Sequence, residues 1–311
     1  MIGLIVVPID GSIVRLRANY APRGLALSEI ETEAGDPRVG PAVRKVWGMI
    51  SRVRRLEGWK GLYKGFLPFI FNSVLISVFS VAFVEGSSTV SPKGTYQVPE
   101  AGGVKMTLFG IALTLVGIPM TVLINRSIVT PHLLPWSPKK AAKIILTPYE
   151  RSKPWIIFLT PGLLAATAIH VLYIVVVSKT VRSFVVPELA NGIFKNPSSS
   201  RDGPFATIRT GRLFVFLIFQ ALSVLVLCPL EVIACRLSVQ RQNAEGEQST
   251  GEIPSTYAAK DEDVITLRGE EEPYNGLIDA AMTIYQEEGA GRLYTAWIVT
   301  LFGALFGALF A

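Results

Sequence analysis

Four stretches of this chain are apolar for close to twenty residues: Phe66–Val84, Thr107–Asn125, Trp155–Ser178 and Leu213–Cys235. A helix needs about 20 mostly apolar residues to cross the hydrocarbon core of a bilayer. Inside that core every backbone N–H and C=O must be satisfied by the protein itself, so runs of this length read as membrane helices. Two shorter runs, Met1–Val14 and Tyr294–Ala311, lie at the ends. The expectation is an all-α membrane protein of six spans, with both terminal helices short. A signal peptide is the weaker reading of the first run. No basic residue precedes it, Pro8, Asp10 and Gly11 interrupt it, and no small-residue cleavage site is clear. Charged residues make up only 17% of the chain, well below the usual quarter, which argues against an ordinary soluble enzyme. Cys228 and Cys235 lie seven apart in one run, roughly 10 Å along a helix and too far to bridge. With only two histidines besides, no zinc site is expected, and no metal or cofactor.

The connections differ in charge. Segment 18–62 holds Arg23, Arg38, Arg44, Lys45, Arg52, Arg54, Arg55 and Lys60, and segment 126–153 holds six more basic residues. Segments 86–104 and 183–208 are poorer in Lys and Arg. The basic connections should share the side of the membrane that retains positive charge. They also account for the net charge of +6, so lipid headgroups are the expected anionic partner and nucleic acid is not. Segment 241–273 breaks the trend with Asp261, Glu262, Asp263, Glu270, Glu271 and Glu272, and reads as a disordered acidic insertion. Val43, Val46, Trp47, Ile50 and Val53 fall at helical spacing between basic residues, the pattern of a helix lying at the membrane surface.

A threefold repeat underlies this pattern. Pro8, Pro119 and Pro229 are separated by 111 and 110 residues, and each is followed seven residues later by an arginine: Arg15, Arg126 and Arg236. The strings are PIDGSIVRLR, PMTVLINRSI and PLEVIACRLS. Asp10 and Glu231 stand two places after their prolines, and Thr121 takes that place in the middle copy. EGWKGLYKGFLPF from Glu57 is echoed by EGAGRLYTAW from Glu288, while Glu150 precedes Pro161 by the same eleven residues as Glu57 precedes Pro68.

These motifs resemble the mitochondrial carrier family, whose signature is P-x-[DE]-x-x-[KR]-x-[KR] followed by [DE]-G-x-x-x-x-aromatic-[KR]-G. The resemblance covers nearly the whole chain and is weakest in the middle copy. It implies three repeats, 1–104, 105–208 and 209–311, each of two spans and a surface helix, in a pseudo-threefold bundle around a central cavity. It also implies longer terminal helices than those present. The family pairs the acid of each motif with the cation three places on, across neighbouring odd-numbered spans. The cation places here are Ile13, Ile124 and Ala234, so no such pair is expected. The three arginines are read instead as cations at helix C-termini, facing the dipole and lipid phosphates. Glu85 is the sole acid found at the family's opposite gate.

By the family's offsets the substrate contacts fall on Asn72, Ala165, Ala166 and Gly303. None is basic, which disfavours a nucleotide and leaves a neutral or weakly polar solute. Helical periodicity independently groups Ser73, Ser77 and Asn72; Thr114, Thr121 and Asn125; Thr160, Thr167 and His170; and Gln220 with Glu231. Polar groups of this kind face a bundle interior rather than lipid, although Ser and Thr hydroxyls also bond their own backbone. Gly303 and Gly307 form G-x-x-x-G, read as close packing within the bundle. The resemblance implies solute transport by alternating access in a mitochondrial membrane, the inner before the outer. The alternative is a non-transporting scaffold on the same fold in the outer membrane, holding a protein partner. No nucleophile–base set marks an enzyme.

Overall fold

The computed structural model describes residues 2–23, 43, 45–87, 89–90, 96–97, 104–187, 210–243, 257–259, 262–270 and 272–310. The chain begins with α1 (Ile2–Ala18), which holds Pro8, then α2 (Val46–Leu56), the single turn α3 (Gly58–Leu62) and the span α4 (Phe66–Ser87). A two-residue antiparallel hairpin, β1 (Thr89–Val90) with β2 (Tyr96–Gln97), lies in the next connection. The order then recurs. α5 (Val104–Val129) holds Pro119 and leads through α6 (Pro138–Ile145), α7 (Pro148–Ser152) and a 3-10 turn (Pro154–Leu159) to α8 (Leu163–Leu172). That span continues as a π-helical segment (Tyr173–Ser178) and α9 (Lys179–Val185). In the third copy α10 (Thr210–Val239) holds Pro229 and leads through α11 (Leu277–Glu287) and α12 (Ala290–Leu293) to α13 (Trp297–Phe310).

Five stretches among the described residues are long and apolar enough to cross a membrane: Gly58–Phe83, Leu108–Val129, Leu163–Val185, Thr210–Val239 and Ala290–Gly307. The remaining expected span is present as α1, whose 17 residues reach about 25 Å. The run expected from Trp155 becomes α-helical only at Leu163, because Pro154 and Pro161 break the ladder before it. Gly162 turns the chain there with φ of 78°. A Cβ on it would lie 2.3 Å from the Leu277 backbone nitrogen, so glycine alone lets α8 start against α11.

α1, α5 and α10 touch one another pairwise, and α4, α8 and α13 pack around them. Where the three meet, Val14, Ala18, Ile124, Ile128, Val129 and Cys235 form one buried apolar cluster. All six stand five to ten residues beyond a proline, so closure occurs at the C-terminal ends of these helices. The basic connections leave from this same end. A proline frees the carbonyl four residues before it. In α10 that carbonyl, on Leu225, accepts a hydrogen bond from the Tyr294 hydroxyl at 3.3 Å.

Two expectations change. The segment read as a disordered acidic insertion is packed over 257–259 and 262–270, as a strap across the closed end. Ala258 N donates to Pro131 O at 2.8 Å, Glu262 pairs with Arg52 at 2.6 Å, and Val264 is buried with Leu16, Met49, Val53 and Leu62. Tyr20 N donates to Thr266 O at 2.8 Å, and Arg268 pairs with Glu287 at 3.0 Å. Composition registered the acids but not the basic partners that fold the strap down. Burial and a hydrogen bond to the Glu287 carboxylate push the Tyr20 hydroxyl up to about 12, so it remains a donor. His132 packs against Tyr257 of the strap, the ring centroids 4.8 Å apart and the planes tilted by 47°. Burial first, then Arg241 and Lys64, hold its imidazole below the usual range.

In α2, Met49 and Val53 face inward, and Trp47 is 79% exposed. The G-x-x-x-G of α13 does not pack within the bundle. A Cβ on Gly303 or Gly307 would meet no atom within 4 Å.

Gly65 and Ala296 stand eight residues after Glu57 and Glu288, and both adopt positive φ, 85° and 61°. That conformation costs a Cβ-bearing residue roughly 1 kcal/mol. Ala296→Gly should therefore leave the thermal unfolding midpoint in mild detergent unchanged or slightly raised, the relieved strain offsetting the added chain entropy. Gly65→Ala should lower it, through a stability loss of about 1–3 kcal/mol. Its Cβ would come within 2.9 Å of Ile128 in the apolar cluster.

Candidate functional site

The arginine of each proline motif is buried against a carboxylate of its own repeat. Arg15 reaches Glu57 at 3.0 Å, and Arg126 holds Glu150 in a two-pronged grip at 2.7 and 2.9 Å. Arg236 grips Glu288 with both terminal nitrogens. Arg15, Arg126 and Arg236 are 1, 2 and 5% exposed, which overturns their reading as cations facing lipid phosphate. The middle copy, the faintest in sequence, keeps the pair intact. Glu150 there also accepts from the backbone nitrogens of Thr147 and Gln242, as part of a capping box at the start of α7.

The same cations cap the neighbouring proline helix, whose last carbonyls have no partner within the helix. Arg236 donates to Arg17 O and Asn19 O of the α1 end, both at 3.0 Å. Arg126 donates to Ser238 O at 3.1 Å and Gln240 O at 2.6 Å at the α10 end. At the α5 end Lys64, which also binds Glu57, donates to Thr130 O at 2.9 Å. Counted from the prolines, the capped carbonyls occupy matching places: nine and eleven residues on in α1 and α10, eleven in α5. A helix C-terminus carries partial negative charge, so a cation there is stabilised twice.

Side-chain links between proline helices are fewer and unequal. Glu231 of α10, expected to lack a family-type partner, pairs with Arg17 of α1. Arg17 lies one turn beyond Ile13, the place counted for the cation, and so on nearly the same face. Asn125 of α5 donates to Ser238 of α10 at 2.7 Å; both stand one turn beyond the places counted for a charged pair. Asp10 has no ion pair among the described residues, and α1 meets α5 through apolar side chains.

Around Glu231 four helices converge. Arg17 and Thr300 of α13 share Oε2, with Thr300 donating at 2.6 Å, and His170 Nε2 of α8 stands 3.4 Å from Oε1. His170 and Glu231 were each singled out in sequence, on separate grounds. Arg17, Thr300 and Ser238 were not, and a one-turn shift of the family spacing would have found Arg17 and Ser238. The three glutamates were visible as repeat markers without their role.

The other expected residues scatter. Ser73, Ser77, Thr114 and Thr121 each bond a carbonyl four residues back, at 2.9, 2.8, 2.7 and 3.0 Å, so their hydroxyls serve their own helices. Gln220 is buried and donates to Ser178 at 2.6 Å. Asn72 is partly buried, its Oδ1 without a hydrogen bond among the described residues. Ala166 is fully buried, whereas Ala165 and Gly303 are exposed. Pro8, Pro119 and Pro229 are inside continuous helices, partly buried. The side chain of Glu85 lies outside the described residues.

The architecture is that of a multi-pass helical bundle with a threefold motif, closed at one end. A family model described as mitochondrial carrier protein matches residues 211–310. The match makes the third copy a carrier repeat and supports a chain of the mitochondrial carrier family, proteins that move solutes across mitochondrial membranes. Comparison with curated proteins gave no match.

Removing one partner of a buried ion pair leaves an uncompensated charge, at a cost of about 3–5 kcal/mol. Glu150→Gln or Arg126→Gln should lose that much, seen as a lowered unfolding midpoint in detergent. The double variant should lose less than the sum of the two. Additive losses would show that the pair is not coupled.

Proposed function

We propose that this chain carries a small solute across the mitochondrial inner membrane by alternating access, with repeats 1–104, 105–208 and 209–311 as the moving units. One contrast carries the reading. The arginine–glutamate pairs tie each proline helix to the surface element of its own repeat. The three proline helices meet one another at one end, through an ion pair, a neutral hydrogen bond, an apolar cluster and the carbonyls capped by Arg126, Arg236 and Lys64. Units each tied within by a buried ion pair, and meeting at one end through contacts that can part, are what a gate requires. The basic connections leave from that end, so it would face the matrix, the side that retains positive charge.

The solute would be neutral or weakly polar. None of Asn72, Ala165, Ala166 and Gly303 is a cation, and an anion stripped of water needs cations to replace its hydration.

Purified protein in liposomes, tested against a broad solute panel, should show saturable uptake that falls at least tenfold in His170→Trp. No flux of any solute, together with a stably co-purifying protein, would instead mark a scaffold. In intact mitochondria the strap should stay protected from protease after the outer membrane is ruptured and be cut once the inner membrane is opened. Cleavage at the earlier stage would reverse the orientation or move the protein outward.

A further inference from the structure

We infer that His170 and Glu231 form a proton site that is loaded when the closed end opens, which would couple solute movement to proton uptake; this rests on the gate proposed above. Glu231 sits at the meeting of α1, α8, α10 and α13, and its two oxygens face different partners. Oε2 is held by Arg17 and Thr300, and Oε1 faces His170 Nε2, a buried atom without a hydrogen-bond partner among the described residues. In the closed arrangement the carboxylate charge is offset by Arg17.

Opening separates α1 from α10 and withdraws Arg17. Glu231 is then left with the imidazole of α8, and a carboxylate that has lost its cation favours the charged form of that imidazole. Among the described residues the neighbouring cations are held elsewhere, Arg292 of α12 by Glu288 at 3.5 Å. α5, which also packs on α8, carries no charged residue between Lys105 and Arg126, and Arg126 is committed to Glu150. On α10, Arg236 is committed to Glu288, and Arg212 lies five helical turns away. α13 offers the Thr300 hydroxyl, α11 contributes Asp279, bonded to Asn275 N, and Cys228 of α10 is a thiol. Asp10 of α1 would leave along with Arg17. A proton taken from water onto the imidazole restores neutrality as an imidazolium–carboxylate pair, and it returns to water on closing. The open form thus holds one more proton than the closed form, so falling pH favours opening.

The chain has two histidines, so a His132→Gln variant leaves His170 as the lone imidazole, and its protonation can be followed by nitrogen-15 NMR on the full-length protein in detergent. In that background Arg17→Gln, which mimics loss of the cation, should move the His170 midpoint upward by at least about one pH unit. Adding Glu231→Gln should abolish the shift. A midpoint indifferent to both changes overturns the proposal. Opening is read separately, by maleimide labelling of Cys235 in a Cys228→Ala variant. Labelling at pH 6 relative to pH 8 should be several-fold greater with His170 present than in His170→Gln, a ratio in which the thiol's own ionisation cancels. Equal ratios also overturn the proposal. The two readings fail differently. Flux that is saturable but indifferent to pH and to His170→Gln leaves transport standing and removes the proton. A His170 midpoint that answers to Arg17 and Glu231 in a protein with no flux keeps the proton site and removes the carrier.

Discussion

A guanidinium buried against a carboxylate, repeated three times, organises this molecule. Each charge alone would cost several kcal/mol to desolvate. The pair is tolerable because its remaining hydrogen-bonding capacity is also used. Glu57 takes Lys64, Glu150 takes two backbone nitrogens and Glu288 takes Ala21 N. Arg126 and Arg236 in turn spend spare N–H groups on the carbonyls that end the neighbouring helix, and Lys64 does so at the third end. Buried cations thereby fix a helix within its repeat and seat one repeat against the next.

Symmetry ends at the level of charge between repeats. The contact of α1 with α10 has an ion pair, that of α5 with α10 a neutral bond, and that of α1 with α5 only apolar packing. The strap adds a fourth layer, tying Arg52, Asn19, Pro131 and Glu287 from all three copies to one segment. Any motion that parts the three helix ends must also deform this strap.

Much of the fold could be read from the sequence because it rests on local signals. The apolar runs located the spans to within a few residues, except the one read from Trp155, whose helix starts at Leu163, and the Pro-to-Arg spacing located the motif in all three copies. The site was less legible because its geometry depends on which turn of one helix faces which turn of another. Ile13 and Ala234 stand where charged partners were sought, while Arg17 and Ser238 sit one turn further on, a register offset that no single strand of text displays. The arginines were misjudged for a related reason. A cation at the end of an apolar run looks the same whether lipid or a glutamate 24 to 52 residues away receives it. The strap was misjudged because acidity resembles disorder until its basic partners are placed.

Magnitudes indicate what holds the closed end shut. A partly exposed ion pair such as Arg17–Glu231 contributes on the order of 1 kcal/mol, and a neutral hydrogen bond such as Asn125–Ser238 about as much. Burying one valine or isoleucine side chain contributes about 1.5–3 kcal/mol as an upper figure. The cluster of Val14, Ile124, Ile128 and Val129, with Ala18 and Cys235 between them, therefore outweighs both polar links together. The helix-end carbonyls held across the repeats by Arg126, Arg236 and Lys64 add to this seal. Its apolar part is nearly insensitive to salt and carries no preference for one partner over another. The direction and register of closure must then come from the weaker polar contacts. Arg17 holding Glu231, and Asn125 holding Ser238, set the angle at which the apolar faces meet.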